Sequence, residues 1–277
     1  MNAGSVGAAL TDARLLGLAR LDAHALLAHA LGRPRVWLIA HEEALLDAAQ
    51  AARFASLAAR RAAGEPLAYL IGTKEFHGLA LAVSPATLVP RPETELLVDW
   101  AIELLASRPG AKPPRVVDLG TGSGAIALAV KHARPDAVLT AVDASEAALE
   151  VARGNGRRLG LEVEWLRSDW WSALTGRRFD MTLANPPYVA EGDDHLVGLA
   201  YEPASALVSG AQGLDALQHL VATAPTHLHP GGWLLLEHGY EQGQVVRECL
   251  SRSGFTRVAT RLDLSGLPRC SAATLAA

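Results

Sequence analysis

The sequence predicts an α/β fold: a doubly wound, mostly parallel seven-stranded sheet, preceded by a small helical N-terminal domain and a β-hairpin linker. Three observations carry this expectation. From Pro113 onward short apolar runs alternate with helical patterns, a glycine-rich turn follows the first of those runs, and the first 64 residues are rich in Ala, Leu and Arg at helical spacing. Repeated β–α units lay strands side by side in parallel and put ligands at their carboxyl ends. A chain of 277 residues, half apolar and 19% charged, is globular and long enough for two domains.

The elements follow in order. In residues 1–64, Leu21, Ala25, Leu26 and Ala28 mark one helical face, stopped by Gly32-Arg33-Pro34, and a second pattern runs from Asp47 to Gly64. His24, His29 and His41 have no metal-like pairing. The arginines from Arg53 to Arg61 read as a solvated helix face, with a partner-binding face as the sharper alternative. Residues 65–92 read as two β segments around Gly72, the first at 67–71, leading into a proline-held extended stretch. A helix over 93–107 presents Leu96, Leu97, Trp100, Ile102 and Leu105. Strands are expected at 115–119, 138–142, 161–166, 179–184, 232–237, 256–261 and 269–273, with helices over 125–132 and 241–253. The expected domains are therefore 1–64, 65–92 and 93–277.

Bulk charge and cysteine usage weigh against several classes, without excluding a local basic patch. A net charge of −4 supplies no field to gather nucleic acid. Cys249 and Cys270 have no metal-type spacing and suit a reducing compartment as buried, inert thiols; no metal site is expected. Asp12, Arg14, Arg20 and Asp22 interrupt the N-terminal apolar runs, so neither a signal peptide nor a membrane span is expected. The expectation is a soluble, cytoplasmic protein.

Two stretches carry chemistry. In Gly120-Thr121-Gly122-Ser123-Gly124, glycines at alternate positions let backbone approach a ligand and aim helix N–H groups at it. Gly120, Gly122 and Ala125 also satisfy the dinucleotide fingerprint, with Asp143 near the ribose-binding distance, so an NAD-linked oxidoreductase competes on these residues. The second stretch is the run at 179–184 and the break after it, Asn185-Pro186-Pro187-Tyr188. Two prolines offer carbonyls without N–H groups, Asn185 adds an amide, and Tyr188 adds a flat face. A planar –NH2 group needs such acceptors; the plain alternative is a strand followed by a proline-rich turn. Asp118, placed to meet a methionine ammonium, and the Asn-Pro-Pro-Tyr run favour S-adenosylmethionine, because hydride transfer gives no reason for the second motif.

Beyond these pieces the chain contains Gly64-Glu-Pro-Leu-Ala-Tyr-Leu-Ile-Gly, Leu88-Val-Pro-Arg-Pro-Glu-Thr-Glu, Asp118-Leu-Gly-Thr-Gly-Ser-Gly, Ser168-Asp-Trp, Tyr201-Glu-Pro and Glu237-His-Gly-Tyr-Glu-Gln-Gly. With them it resembles the class I S-adenosylmethionine-dependent methyltransferases, and more closely the release-factor glutamine methyltransferases of the HemK/PrmC type. The Pro-Arg-Pro-Glu-Thr-Glu segment discriminates these from adenine methyltransferases. The resemblance implies that Gly120 to Gly124, Asp143, Trp170 and Asn185 contact S-adenosylmethionine, Asp143 at the ribose and Trp170 beside the adenine. It implies that Asn185, Pro186, Pro187 and Tyr188 hold the glutamine of the Gly-Gly-Gln loop of bacterial class 1 peptide-chain release factors, with Asn185, Pro186 and Tyr188 carrying the transfer. Val189 stands where an isoleucine is usual. The N-terminal domain would grip the release factor, and a monomer without direct nucleic-acid binding is expected. A ribosomal-protein glutamine and adenine in nucleic acid remain as alternative acceptors.

Overall fold

The computed structural model describes residues 4–107 and 112–276. The chain divides into two compact units, Met1–Thr73 and Lys74–Ala277.

The first unit is helical: α1 (Val6–Leu15), α2 (Arg20–Leu31), α3 (Arg35–Ala40), α4 (Ala48–Ala62) and α5 (Leu67–Ile71). Ser5 caps α1, its Oγ accepting the Ala8 N–H at 3.2 Å. Asp47 and Gln50 form a reciprocal capping box on α4. Val6, Leu26, Leu27, Leu38, Phe54 and Leu57 build the core. On α2 the buried residues include Ala23, Leu26, Leu27 and Ala30, spaced i, i+3, i+4, i+7. Leu21, expected on that face, is 65% exposed. At 3.6 residues per turn it sits about 140° from Leu26.

The segment 67–71, expected as a strand, is helix α5. A five-residue apolar run satisfies either period, and its flanks decide. The Pro66 carbonyl accepts the Tyr69 and Leu70 N–H groups at 3.0 and 3.3 Å, and Gly72 at φ +79° ends the turn. Leu67, Leu70 and Ile71 then pack against the first unit's core. The helical unit consequently ends at Thr73 rather than at residue 64. The hairpin comes one step later, as β1 (Thr73–Phe76) and β2 (Leu79–Ala82) around His77 and Gly78, both at positive φ.

In the second unit a 3-10 turn (Pro92–Thr94) opens α6 (Glu95–Ala106). There follow β3 (Arg115–Leu119), α7 (Ala125–Ala133), β4 (Val138–Asp143), α8 (Glu146–Leu159), β5 (Glu164–Arg167) and β6 (Phe179–Ala184). The chain ends with α9 (Asp215–Thr223), β7 (Leu228–Glu237), α10 (Gly243–Arg252), β8 (Phe255–Leu262) and β9 (Pro268–Leu275). The sheet order is β5-β4-β3-β6-β7-β9-β8, with β9 alone running against the others. α9 was not foreseen, and β5 starts at Glu164 because Leu161 still closes α8 through the Gly156 carbonyl at 3.0 Å. Both sheet faces are covered. Val116, Met181 and Leu183 pack with Leu97 and Leu128 on one side, and Val117, Phe179 and Leu234 with Leu220 and Leu250 on the other.

Register sets the functional edge. Leu119 pairs with Val142 on one side and with Ala184 on the other. Gly120, Asp143 and Asn185 therefore leave three adjacent strands together, where the winding of the sheet reverses between β3 and β6.

Candidate active site

A cavity of about 340 Å³ opens at this edge. Its floor is the glycine turn, whose Gly120, Gly122 and Gly124 have φ of +71°, +55° and +84°. The Gly120 and Thr121 N–H groups both reach the Val142 carbonyl at 2.9 Å, tying the turn to β4. A Cβ at Gly122 would meet nothing within 4 Å, so that face of the backbone is open. Asn155 braces the turn from behind, donating to the Ser123 carbonyl at 2.9 Å while exchanging hydrogen bonds with the Ala82 backbone.

Asp143 lines the cavity, with its carboxylate held by the Gly122 N–H and the Ser145 N–H, each at 2.9 Å. A carboxylate accepts about four hydrogen bonds, which leaves capacity for a pair of hydroxyls. Trp170, at φ +47°, also lines the cavity and stands against Gly120, where a Cβ would lie 3.5 Å from its ring. Ile126 and Ala148 add apolar wall.

Gly120, Thr121, Gly122, Ser123, Asp143, Trp170, Asn185 and Pro187 all line the cavity. Gly124, Asp118, Pro186 and Tyr188 are not on its wall. Asp118, expected to face a methionine ammonium, is instead fully buried behind the turn. Its Oδ2 accepts the Thr121 hydroxyl at 2.6 Å and the Ala127 N–H at 3.2 Å, supplying the N-terminal acceptor that Gly124, without a side chain, cannot give α7. Burial pushes its pKa up to about 7. Pro186 is buried, and the Tyr188 hydroxyl turns inward to Glu237 Oε1 at 3.3 Å.

The opposite wall comes from the segment before α6. Arg91 and Thr94 line the cavity, as do Pro203 and Ala206. Asn185 Nδ2 donates to Thr94 Oγ1 at 3.2 Å. The Arg91 guanidinium pairs with the buried Glu202 carboxylate, whose Oε2 also accepts the Val89 N–H at 2.9 Å. Arg91, Thr94, Glu202 and Glu237 all lie in stretches that the sequence singles out, yet their hydrogen-bond partners across the site are 49 or more residues away and no spacing reveals them.

Comparison with known proteins decides the family. Residues 6–72 match the PrmC N-terminal domain and residues 95–202 the methyltransferase small domain. The chain is 49% identical to the release factor glutamine methyltransferase of Xylella fastidiosa, over 94% of this chain and 95% of that protein. The Pseudomonas aeruginosa protein of the same name is 50% identical, with 91% of each chain covered. The chain belongs to the release factor glutamine methyltransferase family.

Solved structures agree at the level of fold. A methyltransferase from Pyrococcus furiosus superposes with a TM-score of 0.55 at 19% identity, covering 72% of this chain and 90% of that one. The Thermus thermophilus 16S rRNA N2 G1207 methyltransferase, solved with AdoMet and guanosine, gives 0.54 at 22%, covering 73% and 49%. For a family member the ambiguity of the glycine turn between hydride and methyl transfer is resolved towards methyl transfer. The cavity suits S-adenosylmethionine: an open glycine turn, a carboxylate with free acceptor capacity and an aromatic wall stand side by side. Among the described residues no group of three or more His, Cys, Asp or Glu could hold a metal ion, and no helix is long and apolar enough to cross a membrane.

Proposed function

We propose that this chain transfers a methyl group from S-adenosylmethionine to the side-chain amide nitrogen (N5) of the glutamine in the Gly-Gly-Gln loop of bacterial class 1 peptide-chain release factors. The observation that carries the reading is the register: Asn185 leaves β6 directly beside the Gly120 turn, with its amide tethered at Thr94. The shared name of relatives at 41–50% identity supports the acceptor.

S-adenosylmethionine supplies a methyl already activated on a sulfonium, so the protein's task is positioning. Gly120 to Ser123 and Asp143 would hold it, with Trp170 beside its adenine. A carboxamide nitrogen is a poor nucleophile because its lone pair is delocalised into the carbonyl. Asn185 Oδ1 and the Pro186 carbonyl each accept one of its N–H groups, orienting the nitrogen and favouring the positive charge that grows on it. Tyr188 packs against the amide plane. No protein base is required before attack; the proton leaves afterwards to water.

The helical first unit captures the release factor, since a pocket for one glutamine side chain cannot by itself select one loop of one protein. The enzyme acts as a cytoplasmic monomer without direct nucleic-acid contacts, in keeping with its net charge of −4. Intact-mass and peptide analysis of purified release factor incubated with the enzyme and S-adenosylmethionine tests the reading. One added methyl on the Gly-Gly-Gln glutamine is expected; cofactor binding with no methyl there would redirect the assignment to another amide or amino acceptor.

A further inference from the structure

Behind the Asn185–Tyr188 turn lies a buried carboxyl that the mechanism above does not use. Glu237 ends β7 and is 1% exposed. Its Oε1 accepts the Tyr188 hydroxyl at 3.3 Å. Thr94 stabilises its anion, and Oε2, buried beside it, has no hydrogen-bond partner among the described residues. Thr94 Oγ1 is in turn the acceptor for Asn185 Nδ2.

The polarity of this chain matters. A carboxamide has an accepting end and a donating end of nearly equal shape. Asn185 can take a substrate N–H only through Oδ1, so Nδ2 must be satisfied on the protein side. Thr94 provides that acceptor, but a hydroxyl can equally donate, and then it would hold Oδ1 instead. An ionised carboxyl removes the choice because it only accepts: Oε1 holds the Tyr188 hydroxyl, the open Oε2 can take only a proton from Thr94 and never give one, and the hydrogen bonds then run one way from Asn185 inward.

We infer that Glu237 is a positioning residue for methyl transfer, a buried acceptor that orders Thr94 and Tyr188 and thereby holds the Asn185 amide oxygen towards the incoming substrate amide. The inference rests on the proposed reaction.

The surroundings make this acceptor sensitive to pH. Burial pushes Glu237 up to about 7, assisted by Glu93 from the turn before α6 and opposed by Thr94, by Tyr188 and by Arg269 of β9. Arg269 is shared with Asp263 at 3.1 Å. Across β9 the Cys270 thiol is pushed up by burial, and the adjoining His238 is pushed down by burial, so both stay neutral. A protonated Glu237 can donate to Thr94, reversing the chain and releasing the Asn185 amide to flip. The transfer rate therefore rises as Glu237 ionises.

Glu237→Gln keeps the shape and restores a donor. The experiment measures kcat and KM on release factor from about pH 5.5 to about pH 8.5, cofactor affinity by calorimetry, and the Asn185 side-chain NH2 resonances, for wild type, Glu237→Gln, Thr94→Val and Thr94→Ser. Glu237→Gln and Thr94→Val should lower kcat roughly tenfold or more, with KM and cofactor affinity changed by less than about threefold. The acidic limb near pH 7 should vanish in Glu237→Gln, the Asn185 NH2 protons should lose protection in both variants, and Thr94→Ser should restore the rate. A Glu237→Gln enzyme with wild-type kcat and the same acidic limb overturns the inference. So does a loss of rate that follows loss of cofactor affinity, or a Thr94→Ser enzyme as slow as Thr94→Val, which also decides the matter if Glu237→Gln does not fold. A wild-type enzyme that leaves the release factor unmethylated would overturn the reaction itself and not this network.

Discussion

The Arg91 guanidinium closes on the Glu202 carboxylate, joining the proline-held segment before α6 to the loop that supplies Pro203 and Ala206 to the far wall of the cavity. Glu202 is 2% exposed at its side chain and Arg91 32%. Removing the arginine leaves a buried carboxylate with only the Val89 N–H. Breaking a fully buried pair costs about 3–5 kcal/mol, and the partial exposure of Arg91 brings Arg91→Ala to about 1–3 kcal/mol. Chemical denaturation should show that loss, and calorimetry should show weaker S-adenosylmethionine binding, since both walls loosen. Arg91→Lys, which keeps a charge but not the forked geometry, should fall between.

Asn185→Ala removes the side chain proposed to accept the substrate amide while leaving the glycine turn, Asp143 and Trp170 in place. Transfer should fall on the order of a hundredfold or more, the scale of losing one preorganised hydrogen-bonding group at a reacting centre. Cofactor binding should weaken yet remain measurable by calorimetry. Equal transfer rates in mutant and wild type would remove Asn185 from the reaction.

What could be read beforehand depended on whether a residue's role was local. The Gly120–Gly124 turn is legible because positive φ calls for glycine there, and Asn185 and Pro187 reach the cavity because the prolines end β6 at its carboxyl edge. The strand at Phe179–Ala184 was placed to the residue because its apolar run ends against two prolines. Asp118 was misplaced for the opposite reason. A sequence shows that a carboxylate stands before the turn, but not that its side chain turns back under α7 to reach Ala127. Leu67 to Ile71 misleads because a five-residue apolar run satisfies either period, and its helix is set by the Pro66 and Gly72 flanks together with packing against the first unit's core. Thr94, Glu202 and Glu237 gained their roles from partners far away in the chain, which no local pattern encodes.

On α3 of the first unit, Val36 and Ile39 are 71% and 60% exposed and lie one turn apart. Two large apolar side chains held out together suit a protein-binding face. Val36→Asp with Ile39→Asp should raise KM for intact release factor about tenfold, the effect of losing a central interface contact. Transfer to an isolated Gly-Gly-Gln peptide should be unchanged. An equal effect on protein and peptide would show that this face does not select the partner.

Asp118 and Glu237 impose a common pH dependence on stability. Their pKa values rise on folding from 3.8 and 4.5 to about 7 each, so the folded chain binds protons more tightly than the unfolded one. Stability from these groups is full below about pH 4 and is lost as pH rises through 7. Glu164, held below the usual carboxylate range by Arg177, acts with the opposite sign at lower pH. Asp118→Asn keeps the shape, leaves an oxygen for Thr121 and Ala127, and puts its amide where Oδ1 has no partner. Thermal denaturation at about pH 5.5 and about pH 8 should show a smaller drop in Tm for the variant than for wild type. Identical drops would show that Asp118 ionises as an ordinary carboxylate.

Gly213 gives the sharpest test of how tightly the Asn185–Tyr188 turn is held. At φ +70° it passes under Tyr188, and a Cβ there would lie 2.2 Å from the Tyr188 carbonyl oxygen and 2.8 Å from its carbon, both backbone. Gln242 Nε2 bridges the same two segments, donating to the Tyr188 carbonyl at 3.0 Å and to the Gly213 carbonyl at 3.2 Å. Gly213→Ala must therefore displace Tyr188, and with it the turn that begins at Asn185. Gly254 has φ +82° with nothing within 4 Å of a Cβ, so Gly254→Ala carries only the left-handed backbone cost of about 1–2 kcal/mol. Gly213→Ala should cost more than that in denaturation experiments. It should also lower methyl transfer, with S-adenosylmethionine affinity reduced no more than in Asn185→Ala, because Tyr188 itself lies off the cavity wall while Asn185 and Pro187 line it. If Gly213→Ala matched Gly254→Ala in both stability and rate, the turn would be yielding, and its grip on the substrate amide would have to come from elsewhere.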